Sequence, residues 1–90
     1  MSTEILIIDD NSEIRTILQE IISDSGYKTR LAANYNQALS EIDKKLPDVA
    51  IIDVKLDKSD NDGIELLNHI KNKNKDIPVI IISGLSLIHI

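Results

Sequence analysis

Ninety residues leave room for one small domain, and 42% apolar against 28% charged residues is a globular balance; with no Phe or Trp, the core must come from Ile, Leu, Val and Ala. Fifteen acidic against ten basic residues give a net charge of −5 with no basic stripe, which argues against direct nucleic-acid binding by this segment. The absence of Cys excludes disulfides, thiolate metal sites and thiol nucleophiles, and no secretion leader or apolar run of about 18 to 20 residues is found, so a cytoplasmic location with no membrane partner is expected.

The chain opens with a short apolar strand from Glu4 to Ile8 that stops at the acid pair Asp9-Asp10. Asn11 and Ser12 offer caps for a first helix, whose apolar residues Ile14, Ile17, Leu18, Ile21 and Ile22 recur at helical spacing on one face. Gly26 is placed to end it in the left-handed conformation. Tyr27, Thr29 and Leu31 alternate with Lys28 and Arg30, the pattern of a half-exposed strand near a sheet edge.

Asn34 is set to cap a second helix carrying Ala38, Leu39, Ile42 and Leu46, which Pro47 ends. Asp48-Val-Ala-Ile-Ile-Asp53 follows, an apolar run suited to a strand buried on both faces, and it too stops at a carboxylate. The residues up to Asp62 are polar and read as a loop; Gly63 then opens a third helix bearing Ile64, Leu66, Leu67 and Ile70. Lys71, Lys73 and Lys75 read as its solvated C-terminal end, where cations complement the dipole. A fourth strand, Val79 to Ile82, ends at the hydroxyl of Ser83.

Strands alternating with helices predict an α/β fold with right-handed crossovers and a parallel sheet. The second strand is the most polar and belongs outside the first, which gives the order 2-1-3-4, a flavodoxin-like doubly wound arrangement with its switch point between strands one and three. Ligands in such sheets bind beyond the carboxyl ends of the strands, so Asp9, Asp10 and Asp53 are expected to converge in a crevice, with Ser83 on the next strand end. Carboxylates held close repel one another unless a cation joins them, and Mg²⁺ prefers hard oxygen ligands while keeping positions open for phosphate oxygens. Such a pocket suits phosphoryl transfer to a carboxylate. Each residue alone has a plainer use, Asp9 as a helix cap above all; the set carries the signal.

The stretches Ile5-Leu-Ile-Ile-Asp-Asp-Asn11, Pro47-Asp-Val-Ala-Ile-Ile-Asp53, Asp62-Gly63 and Pro78-Val-Ile-Ile-Ile-Ser-Gly84 resemble the receiver domain of two-component response regulators, over about Glu4 to Gly84. The resemblance implies that Asp53 is the phosphoacceptor, taking a phosphoryl group from the phosphohistidine of a sensor histidine kinase. It further implies that Asp10 binds Mg²⁺ directly and Asp9 through water, that Lys55 contributes its backbone carbonyl, and that Ser83 is the switch hydroxyl. Such a module is no enzyme beyond its own phosphorylation and dephosphorylation.

Gly63 lies ten positions past Asp53 and Leu56 to Asn61 contains no Pro, where most receivers have a shorter, Pro-containing loop. The longer loop is similar to nitrogen-regulation regulators of the NtrX type, which implies a full protein with an ATPase module for the alternative sigma factor and a DNA-binding helix-turn-helix, hence transcription regulation. A receiver continues past strand four with a helix, a strand ending in lysine and another helix. Here Leu85-Ser-Leu-Ile-His-Ile90 follows instead, the peptide encoded by CTG TCT CTT ATA CAC ATC of a transposon-end adapter. Residues 1–84 are therefore expected to be a partial receiver domain and 85–90 a non-native tail, leaving parts of both sheet faces and the edge of strand four bare.

Three other readings compete. A haloacid-dehalogenase-type phosphatase also forms an aspartyl phosphate, but needs a second acid where Lys55 stands. A nucleotide-binding ATPase fragment needs a Gly-rich phosphate loop, which is absent. A truncated receiver without activity is the remaining alternative.

Overall fold

The computed structural model describes residues 3–53, 60–83 and 86–89. Its elements in order are β1 (Glu4–Ile8), α1 (Ser12–Asp24), β2 (Lys28–Ala32), α2 (Tyr35–Lys44), β3 (Val49–Asp53), α3 (Asp60–Lys73), β4 (Val79–Ser83) and β5 (Ser86–His89). They build one sheet in the order β2-β1-β3-β4-β5, whose first four strands are parallel and follow the expected 2-1-3-4 arrangement.

Local chemistry accounts for the boundaries. Asn11, extended at φ −89°, accepts hydrogen bonds through Oδ1 from the N–H groups of Glu13 and Ile14 and so starts α1. Gly26 adopts φ +95°, a region that side chains with a Cβ rarely enter, and its N–H donates to the Ser23 carbonyl to close the helix end. Asn34 caps α2 through the N–H of Gln37 at 2.8 Å. At the end of α3, Lys71 Nζ donates to the carbonyls of Lys75 and Ile77, as cations in a last turn do.

The sheet separates two apolar layers, as the pleat requires of strands covered on both sides. On one face Leu6, Ile8, Ala50, Ile52, Val79 and Ile81 pack with Ala38 and Ile42 of α2 and Leu66, Leu67 and Ile70 of α3. On the other, Ile5, Ile7 and Ile51 pack with Leu18 and Ile22 of α1.

Four details differ from the sequence reading. Helix α3 begins at Asp60, ahead of Gly63, which puts Asp62 in its first turn, where the positive end of the helix dipole favours an acid. The apolar face of α1 is only partly used: Leu18 and Ile22 meet the sheet, while Ile17 and Ile21 remain 51% and 58% exposed, since α1 is the one helix described on that side. In β2 the alternation is shifted, with Leu31 exposed and Arg30 drawn in by Glu4 at 3.0 Å and Glu41 at 3.2 Å. Finally, the edge of β4 is not bare. Residues Ser86–His89 pair antiparallel with it, Ser83 opposite Ser86 and Ile80 opposite His89, because an unpaired strand edge is a template for any adjacent extended segment.

Candidate functional site

The register places three carboxylates at one end of the sheet. Ile8 is the partner of Ile52 across β1 and β3, so Asp9 follows β1 beside Asp53, the last residue of β3. One carboxylate oxygen from each of Asp9, Asp10 and Asp53 falls within 4.8 Å of the others. Asp9 is buried, Asp53 half-buried and Asp10 exposed, so the cluster runs from the interior to the surface. Across β3 and β4, Asp53 is the partner of Ile82, which puts the backbone of Ser83 one residue further along at the same sheet end. Lys55 lies outside the described residues.

The turn from β1 into α1 holds Asp9 firmly. Its N–H donates to the Ala32 carbonyl at 3.2 Å, extending the β1–β2 ladder by one residue. Its Oδ1 accepts the Asn11 N–H at 2.9 Å, an Asx turn. Its carbonyl accepts Nη1 of Arg15 at 2.7 Å. The sequence reading found Asn11 as a cap but not as the holder of Asp9, and it missed Arg15. An arginine one turn inside a helix that follows two strand-end acids was the available signal.

Burial raises the pKa of Asp9 above the ordinary aspartate value, the Asn11 N–H opposes this, and the charges of Asp53 and Asp10 raise it further against a smaller lowering by Arg15. A carboxyl with a raised pKa binds its proton more tightly folded than unfolded, so its contribution to stability falls as the pH climbs from the usual aspartate range through the raised value. Asp9→Asn is therefore expected to raise the thermal midpoint at neutral pH in EDTA and to remove the loss of stability that Asp9 causes as the pH climbs from the usual aspartate range through its raised value. A lower midpoint at neutral pH would show that the carboxylate stabilises the metal-free fold.

A hard divalent cation fits this donor set. All three groups offer oxygen, they converge from different strand ends, and a positive charge among them relieves the repulsion that raises Asp9. Among the described residues no helix is long and apolar enough to cross a membrane.

Comparison with known proteins gives a consistent answer. The family model for the response regulator receiver domain matches residues 5–88. The nitrogen assimilation regulatory protein NtrX of Azorhizobium caulinodans is 39% identical over 84 residues, which span 93% of this chain but only 18% of that relative. The solved receiver domain of NtrX from Brucella abortus superposes with a TM-score of 0.81 at 38% identity, covering 91% of this chain and 68% of that one. A CheY-like receiver domain protein from Methanospirillum hungatei gives 0.86 at 27% identity, covering 96% and 67%.

Proposed function

Because this chain belongs to the response regulator receiver domain family, we propose that it is the phosphoacceptor module of a two-component system, with Asp53 as the residue that receives the phosphoryl group. The observation that carries the proposal is the convergence of Asp9, Asp10 and Asp53 within 4.8 Å at the carboxyl ends of β1 and β3. Asp53 is the last residue of β3, whereas Asp9 and Asp10 lie just past the end of β1, and it is half-buried there, where a carboxylate oxygen can meet an incoming phosphorus. In the step, that oxygen bonds to phosphorus while the P–N bond to a histidine kinase's phosphohistidine breaks and the imidazole nitrogen leaves with the electron pair. Asp9, Asp10 and Asp53, with the Lys55 carbonyl, would hold Mg²⁺. Bound there, the ion neutralises charge on the transferring oxygens.

The remaining roles are assigned with it. Ser83, whose backbone ends β4 beside Asp53, is the switch hydroxyl that turns toward the new phosphoryl oxygens. The cognate partner is a sensor histidine kinase in the cytoplasm. The likeness to NtrX supports a place at the head of a transcription regulator whose output modules lie outside these residues. Residues 85–90 are assigned to a non-native tail, to be tested by reading the source gene beyond the Gly84 codon.

Incubation with acetyl phosphate and Mg²⁺ is expected to add one phosphoryl group to the intact mass, and EDTA is expected to prevent it. Equal labelling with and without EDTA would contradict a metal-assisted acceptor.

A further inference from the structure

Arg15 occupies an unfavourable place for a cation. It stands at the start of α1, where the helix dipole favours negative charge, yet its guanidinium turns back past the cap and donates Nη1 to the Asp9 carbonyl at 2.7 Å. That is short for an N–H···O bond, in the range of charge-assisted pairs. The side chain is half-buried, so the bond is shielded from competing water.

The carbonyl it grips belongs to the peptide plane that joins Asp9 to Asp10. One side of this plane is fixed by the Asp9 N–H on Ala32 at 3.2 Å, and the chain beyond it is fixed by the Asn11 N–H on Asp9 Oδ1 at 2.9 Å. Without Arg15 the carbonyl between those two anchors loses its side-chain partner, and the plane can rotate. Rotation would swing Asp10, the exposed member of the cluster, away from Asp53.

We propose that Arg15 is a positioning residue for the acidic pocket, holding the Asp9–Asp10 peptide so that both carboxylates face Asp53 and together bind a divalent cation. The proposal rests on the reading of that pocket as a Mg²⁺ site. Charge alone predicts the opposite sign. A guanidinium bonded to the Asp9 carbonyl repels a cation bound at the neighbouring carboxylates, so its removal should tighten Mg²⁺ binding if geometry played no part.

The test is Mg²⁺ titration by calorimetry of the whole chain as wild type, Arg15→Met and Arg15→Lys, with thermal melts in EDTA alongside. Arg15→Met keeps the apolar stem, and is expected to weaken Mg²⁺ binding about tenfold or more, the usual loss when a group that orients a metal ligand is removed. Its midpoint in EDTA should stay near the wild-type value. Arg15→Lys restores a charged donor and should recover most of the affinity. Unchanged or tighter binding by Arg15→Met overturns the assignment. So does an Arg15→Met chain that fails to fold, since the residue would then serve general stability. A wild-type chain that binds no Mg²⁺ would instead remove the metal-site reading itself, and the positioning role with it.

Discussion

Asp53→Asn is expected to reduce phosphoryl uptake from acetyl phosphate to background, while leaving the metal-free fold at least as stable. The amide keeps the size and planarity of the carboxylate but has no anionic oxygen to attack phosphorus, so the loss should be at least a hundredfold in rate rather than a graded one. The fold should tolerate it because one of three mutually repelling charges is removed. Asp9 and Asp10 are not expected to substitute. Asp9 is buried with Oδ1 engaged by the Asn11 N–H, and Asp10 lies on the exposed side of the cluster. Substantial labelling of Asp53→Asn, with an unchanged melt, would transfer the acceptor role to one of them.

The second large effect is on stability. Ile52 is fully buried in the middle of the sheet, paired across β1 with Ile8 and across β4 with Ile81, and shares the larger apolar layer with Leu66 and Ile70 of α3. Ile52→Ala leaves a cavity that parallel strands pinned on both sides cannot close, at a cost of about 2–5 kcal/mol. A domain of this size holds only about 5–15 kcal/mol in total, so the variant should melt far below wild type or be unfolded at room temperature. Ile17→Ala is the matched control: Ile17 is 51% exposed on α1, and its loss should change stability by no more than about 0.5 kcal/mol. Equal effects at the two positions would mean that the two layers are not packed as described.

Much of this was written in the chain because strand-end residues announce themselves when a parallel sheet is assumed. Ile5 to Ile8 and Val49 to Ile52 are too short and too apolar for anything but buried strands, and the acids that stop them must then emerge at the same sheet end. The polar second strand could only go outside. What could not be read was whatever depends on a partner distant in sequence. Arg30 looked like an outward residue by alternation, but Glu4 and Glu41, 26 positions before it and 11 after, draw it in. Five apolar residues on α1 have helical periodicity whether or not the sheet is wide enough to cover them, and only Leu18 and Ile22 reach it. The pairing of Ser86–His89 with β4 follows from a vacant strand edge, which exists only once the sheet is assembled. Arg15 carried only a weak signal, an arginine one turn inside the helix after two strand-end acids. Its target is a backbone carbonyl, and no residue letter marks one.

The central claim concerns which atom takes the phosphoryl group, and the most direct measurement is reductive trapping. An aspartyl phosphate is an acyl phosphate, so borohydride reduces the activated carbonyl, releases phosphate and leaves homoserine at that one position, which peptide mass mapping can locate. After treatment with acetyl phosphate and Mg²⁺, the account predicts homoserine at residue 53, intact Asp at residues 9 and 10, and no conversion when EDTA is present. Homoserine at residue 9 or 10, with Asp53 unchanged, would contradict it.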